Sequence, residues 1–311
     1  MPEPVNSSDA PHEMATNVGP DHVDIAFQRM GSRHAPVVLL IMGVAAQMIH
    51  WPDAFCNALV NSGLQVIRFD NRDSGLSSHI RDAPAPNLPA VLAGDLGTAS
   101  YNLTHMAADT VGLMDALGIS SAHIVGASMG GQIAQIIAAD FPHRVLSLTS
   151  MMSTTGNRSV GQVSPFALRE IFGNPPGPSR EDVIQHRVKV VRAIGSPGFP
   201  ADESEVAARA ALAYDRAHDP VAMARQAVAT VASGDRTARL RTISLPTLVI
   251  HGLADQMCDV SGGRATAEAI PNAELVLVEG MGHDLAPGLR VRIASLISDF
   301  VRRAEGQEQS H

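Results

Sequence analysis

Six short runs built almost wholly of apolar residues recur along the chain: VVLLIMG (37–43), LQVIRFD (64–70), AHIVGAS (122–128), RVLSLTSM (144–151), PTLVIHG (246–252) and AELVLVEG (273–280). A strand with one solvated face alternates apolar and polar residues, whereas a run that is apolar throughout is buried on both faces, as in a parallel sheet. The stretches between them, such as DAFCNALVNSG, HMAADTVGLMDALG and MGGQIAQIIAADFP, place apolar residues three and four apart, the spacing of one helix face. Parallel neighbours need long crossovers, which are usually helices. The alternation therefore predicts an α/β protein: a mostly parallel central sheet with helices on both faces.

The rhythm breaks between residues 156 and 240. That segment opens with GNRSVGQVSPFALREIFGNPPGPSREDV, rich in Gly, Pro and Ser, and continues as alanine-rich helical sequence without a strand-like run. It reads as a helical cap inserted into a core formed by residues 21–155 and 241–305. The polar first 20 residues read as a flexible N-terminal arm. No internal repeat is evident.

Composition narrows the function classes. With 45% hydrophobic and 17% charged residues, the chain is able to bury a sizeable core. A net charge of −8 offers no basic surface for a phosphate backbone, so no nucleic acid is expected as a partner. The two cysteines, Cys56 and Cys258, lie far apart without metal-ligand spacing, which argues against a disulfide framework or a structural zinc and favours a reducing cytoplasm. The N-terminus lacks the basic and apolar regions of a signal peptide. The longest apolar run is about half the ~20 residues of a membrane span, so no membrane association is expected. Self-association into a homo-oligomer is compatible with the sequence.

Gly126-Ala127-Ser128-Met129-Gly130 matches GxSxG. The pentapeptide alone licenses only a hypothesis; its context carries the weight. A nucleophile elbow needs a strand, a sharp turn that holds the serine exposed, and then a helix. HIV precedes the motif, and Gly131, Ile133, Ile136 and Ile137 follow at helical spacing. A serine hydroxyl is a poor nucleophile without a base, and the base needs a group to orient it. In this architecture the order is serine, acid, histidine, each after a strand. Asp255 follows TLVIHG and His283 follows ELVLVEG, so order and position agree. Among 13 histidines only His251 also lies near the end of a late strand, and it is still inside the strand. Asp284 is adjacent to His283, and adjacent loop residues rarely face each other; Asp259 is farther from its strand end. The oxyanion donors are expected to be the backbone N–H groups of Met129, after the nucleophile, and Val44, after the first apolar strand.

Two other stretches bear on function. RFDNRDSGLSS (68–78) reads as a structural turn in which Asp70 and Arg72 pair locally. SGGRATAEA (261–269) lacks a phosphate-binding pattern and reads as a helix start.

The stretches LLIMGVAAQMIHWPDAFCNAL, VIRFDNRDSGLSS, VGASMGGQIAQ, HGLADQM and EGMGHDL give the chain its resemblance to α/β-hydrolases, and within them to the aclacinomycin methylesterase group. The resemblance implies a capped serine carboxylester hydrolase with no cofactor and no metal. Its substrate would be a small or medium ester, methyl esters included, with Ser128 as nucleophile, Asp255 as acid, His283 as base, and Val44 and Met129 as oxyanion donors. Val44 stands where a second glycine is expected, which narrows the acyl site. The same triad could serve a carbon–carbon bond hydrolase or a cofactor-free perhydrolase, and the same scaffold a non-catalytic receptor. An epoxide hydrolase or dehalogenase would need a carboxylate in place of Ser128.

Overall fold

The computed structural model of the chain describes residues 12–173 and 175–308. Its strands are β1 (Glu13–Val18), β2 (Val23–Met30), β3 (Val37–Ile41), β4 (Gln65–Phe69), β5 (Ala122–Ala127), β6 (Val145–Met151), β7 (Thr247–Gly252) and β8 (Glu274–Val278). They form one sheet in the order β1-β2-β4-β3-β5-β6-β7-β8. β3 to β8 are parallel, and they are the six apolar runs. The helices are α1 (Asp53–Asn61), α2 (Leu88–Leu92), α3 (Leu103–Ala116), α4 (Met129–Asp140), α5 (Pro165–Phe172), α6 (Arg180–Ile194), α7 (Glu203–Arg216), α8 (Pro220–Ala232), α9 (Thr237–Leu240), α10 (Ser261–Ala269) and α11 (Pro287–Glu308).

The period of two explains why those runs have no polar face. Val38 and Leu40 of β3 join a core with Phe55 and Leu59 of α1 and Ile293 and Ile297 of α11. Leu39 and Ile41, one residue out of phase, join the opposite core with Leu113 of α3 and Ile133 and Ile137 of α4. Each face of the sheet is thus covered by helices, and truncating a fully buried residue such as Leu39 to Ala would cost ~2–5 kcal/mol.

The flexible arm expected over residues 1–20 is corrected from Glu13 onward. Residues 13–18 form β1, which pairs antiparallel with β2, and β2 pairs antiparallel with β4. Within β1 only Ala15 and Val18 are buried, and the register shifts between them, so no alternation marks the strand. Residues 1–11 lie outside the described residues.

Between β6 and β7 the chain forms α5 to α9 and, among the described residues, no strand. Several of these helices begin where side chains satisfy their first N–H groups. Ser179 and Asp182 form a capping box at α6, Asp202 caps α7 and Asp219 caps α8. The chain places β4 on one side of β3 and then crosses to place β5 on the other. In open α/β sheets the crevice at such a switch point, outside the carboxyl ends of the strands, is where ligands bind. Ser128 and Gly43 lie just beyond the ends of β5 and β3.

Candidate active site

Ser128 occupies the turn between β5 and α4 with φ 58° and ψ −122°, in positive-φ space that a side chain enters only under constraint. The constraint is visible on both sides. Ser128 N–H donates to Met151 O at 2.9 Å, and its carbonyl accepts from Gly131 N–H at 2.9 Å and from the Ser153 hydroxyl at 2.8 Å. The motif glycines are required by close approach. A Cβ on Gly126 would stand 2.1 Å from Gly130 O, and one on Gly130 would stand 2.0 Å from Ile41 O.

His283 and Asp255 sit in the loops after β8 and β7. His283 Nδ1 lies 2.7 Å from Asp255 Oδ2, and the Asp255 side chain is fully buried. The other carboxylate oxygen, Oδ1, accepts from the N–H groups of Met257 and Cys258 at 2.9 and 2.8 Å. The carboxylate is therefore fixed by its own loop and presents its other oxygen to the His283 ring. The loop carrying the ring is tied to the end of α6: His283 N–H donates to Ile194 O at 2.7 Å and Gly282 N–H to Ser196 Oγ at 2.9 Å. The rival acids are occupied elsewhere. Asp284 accepts from Ser196, and Asp259 accepts from Ser261 N–H. His251 lies within β7 and gives Nε2 to Cys258 O at 2.8 Å; burial holds its pKa below the ordinary histidine value.

Among the described residues no hydrogen bond joins the Ser128 hydroxyl to His283, although both side chains line one cavity. Such bonds often tighten only once substrate is bound. The loop after β3 also approaches the serine: a Cβ on Gly43 would stand 3.0 Å from Ser128 Cβ and 3.4 Å from its Oγ. Val44 lines the cavity, and Met129 is the first residue of α4. Among the described residues neither of their N–H groups has a hydrogen-bond acceptor. The next residue, Ala45, is held at φ 55° with its N–H on Gln226 Oε1 of α8 at 2.8 Å, so a helix of the insertion steadies this loop.

The cavity measures about 500 Å³ and lies between the sheet rim and helices α6 to α8. Apolar residues dominate its walls, among them Met152, Val190, Ile194 and Met223. Its polar residues include His50, Arg187, Glu205, Arg209 and Arg290, none of which any sequence motif marks. The nearest signal is the set of cations in VIQHRVKVVR and VAARAALAYDR, indistinguishable in sequence from a solvated helix face. Burial, followed by the charges of Arg187, Arg209 and Arg216, pushes the His50 pKa down to about 3, so its ring is neutral.

The local Asp70–Arg72 pair expected in the turn after β4 is replaced by distant partners. Asp70 accepts from Met48 and Leu76 N–H groups and pairs with Arg216 of α7 at 2.5 Å. Arg72 donates twice to Asp109 of α3 at 2.6 Å and once to Asp21 at 2.8 Å. Asp73 pairs with Arg225 of α8 at 2.8 Å and accepts from Tyr101. Turn geometry alone could not reveal the charged partners, because they lie 37 to 152 residues away. The segment 261–269 is α10, as its sequence suggests.

Cys56 and Cys258 are free and buried. Among the described residues no cluster of three or more histidine, cysteine or acidic side chains is placed to hold a metal ion, and no helix is long and apolar enough to cross a membrane.

The family model described as alpha/beta hydrolase fold matches residues 36–286. Rhodomycin D methylesterase DnrP of Streptomyces peucetius is 29% identical over 94% of this chain and 99% of its own length. The putative carbamate hydrolase RutD of Pseudomonas savastanoi is 28% identical over 80% of this chain and 87% of its own length. Among solved structures, the meta-cleavage product hydrolase CumD from Pseudomonas fluorescens shares the fold with a TM-score of 0.71 at 22% identity, covering 94% of this chain and 98% of its own. A thermophilic esterase from Thermogutta terrifontis gives 0.69 at 23% identity over 95% and 99%. The strand order, the elbow after β5 and the family match together place the chain: it belongs to the α/β-hydrolase fold family, and esterases are among its relatives.

Proposed function

We propose that the chain is a serine carboxylester hydrolase acting on small or medium esters, methyl esters among them. The observation that carries this reading is the Asp255–His283 pair at 2.7 Å on the wall of the same cavity as Ser128, itself held in positive-φ space. In the proposed reaction Ser128 Oγ attacks the ester carbonyl carbon while His283 Nε2 accepts its proton. Asp255 holds the ring by Nδ1 and stabilises its charged form. The negative charge that develops on the carbonyl oxygen falls to the N–H groups of Val44 and Met129. The alcohol departs with the proton from His283. Water, deprotonated by the same ring, then hydrolyses the acyl-serine and releases the acid. No metal or cofactor is invoked. Segment 156–240 serves as the cap that shapes the acyl and alcohol sites.

The relatives support ester cleavage, because the names of two rhodomycin D methylesterases state that chemistry. A bifunctional esterase/perhydrolase and a 2-hydroxymuconate semialdehyde hydrolase also match, so peroxide acceptors and vinylogous diketones belong in the substrate panel. Turnover of p-nitrophenyl esters by Ser128→Ala tests the reading: a loss of ~10⁴-fold or more with the fold intact is expected. Near-unchanged turnover would overturn it, and tight ligand retention without turnover in the native protein would favour the receptor alternative.

A further inference from the structure

Three arginines line the cavity, and two of them are committed. Arg209 and Arg290 both donate to Glu205 Oε1, the latter at 2.7 Å, and Arg290 also gives Nε to Leu285 O at 3.2 Å. The remaining carboxylates of the wall are occupied as well. Asp202 accepts the N–H groups of Ser204 and Glu205 at 2.9 and 3.3 Å, and Asp284 accepts from Ser196. Arg187, on α6, lines the same cavity and makes no ion pair or side-chain hydrogen bond among the described residues. Its surroundings resist its charge: burial and the neighbouring Arg209 both act against the protonated form. His50 is neutral there and adds no further positive charge.

A guanidinium that faces a mostly apolar cavity without a partner is only partly compensated, and the cost is relieved when a ligand brings an anion to it. Arginine's planar fork suits a carboxylate, which it can hold through two parallel N–H···O bonds. The mostly apolar lining around it would screen such a pair from water while accepting a hydrocarbon spacer.

We infer that Arg187 is a substrate-binding residue for a carboxylate remote from the scissile bond, so that the preferred substrates are half-esters: carboxylic esters that carry a second, ionised carboxyl group. This rests on the serine-esterase reading above, with Arg187 fixing one end of the substrate and Ser128 attacking the other.

The test compares kcat/KM for monomethyl esters of linear dicarboxylic acids of about four to ten carbons with their dimethyl esters and with methyl alkanoates of equal length. At one or more chain lengths the wild-type protein is expected to favour the anionic ester by about 10-fold or more. Arg187→Gln should lower the anionic-to-neutral ratio by about 10–100-fold, equivalent to ~1.4–2.8 kcal/mol. Arg187→Lys should recover part of it. Arg192→Gln removes a cation from the same helix that is solvent-exposed and paired with Glu203, and should leave the ratio alone. A wild-type protein that shows no preference at any length, or a ratio that Arg187→Gln does not move, overturns the inference while leaving Ser128-dependent esterase activity intact. If no ester is turned over, the esterase reading fails instead, and calorimetric titration with the dicarboxylates still decides the role of Arg187: binding should be present in wild type and weakened about 10-fold or more in Arg187→Gln. Should that variant fail to fold, competitive inhibition of the wild-type protein by dicarboxylates, stronger than by monoacids of equal length, is the result expected, and its absence counts against the assignment.

Discussion

The carboxyl rim of the sheet and the helices of segment 156–240 are held in place by different means. At the rim, backbone groups do most of the work. Ser128 is fixed through its own N–H and C=O, Asp255 by two N–H groups of its loop, and the β3–α1 loop by its approach to the elbow. Helices α7 and α8 are joined to that rim by long side chains, Arg216 to Asp70, Arg225 to Asp73, and Gln226 to the Ala45 N–H, whereas the end of α6 is also joined by backbone bonds such as His283 N–H to Ile194 O. Backbone fixation is rigid and indifferent to the ligand. Side-chain fixation can be rebuilt with other residues, so a cavity wall made this way can change its selectivity while the reacting groups stay put. Substitutions at the rim should therefore damage turnover of every substrate alike, and substitutions in the insertion should alter stability or the ratio between substrates.

The largest rim effect besides loss of the serine is expected at Asp255. Asp255→Asn keeps the shape but removes the charge that orients His283, and kcat should fall by ~10³–10⁴-fold for all esters in a substrate panel. A loss confined to some esters would mean that the rim, too, discriminates between substrates. The strongest effect on the joint between the regions is expected from Arg225→Ala, which leaves Asp73 buried without its cation. Removing one partner of a buried pair costs ~3–5 kcal/mol. Tyr101 and the Ile80 N–H still serve that carboxylate, so a loss near the lower end, ~3 kcal/mol, is the expected result of chemical denaturation.

His50 sharpens the comparison through pH. Its folded-state pKa, about 3, lies below the ordinary 6.5, so between these values the unfolded chain binds a proton that the folded chain does not. Stability contributed by the neutral ring is therefore complete above pH ~6.5 and is lost as the pH falls toward 3, by up to ~1.4 kcal/mol per pH unit. Denaturation of His50→Gln across that range should show a shallower acid limb than wild type; identical limbs would mean that neither burial nor the neighbouring arginines hold the ring neutral. The smallest effect belongs to Arg192→Gln, whose solvent-exposed pair with Glu203 should leave thermal unfolding almost unchanged.

The same contrast explains what the sequence reveals. The strands β3 to β8 are legible because their runs are mostly apolar and carry no regular polar alternation, even where a buried polar residue such as Arg68 or Ser147 interrupts them. Ser128, Asp255 and His283 stand out because each follows such a strand and their order is fixed by topology. β1 is not legible: two buried residues across a register shift leave no period for a reader to find. The true partners of Asp70, Arg72 and Asp73 are equally hidden, since each is brought in from another element. Arg187 has no marker at all. Its importance comes from what fails to pair with it after α6 and α7 pack, and one-dimensional spacing contains no trace of that.

Whether folding brings Ser128 within reach of a base that Asp255 orients is answered by a fluorophosphonate probe with peptide mapping by mass spectrometry. Stoichiometric labelling at Ser128 is expected in the native protein, strongly slowed labelling in His283→Ala, and none after unfolding. Labelling at another residue, or at Ser128 with equal speed when His283 is absent, would contradict that arrangement.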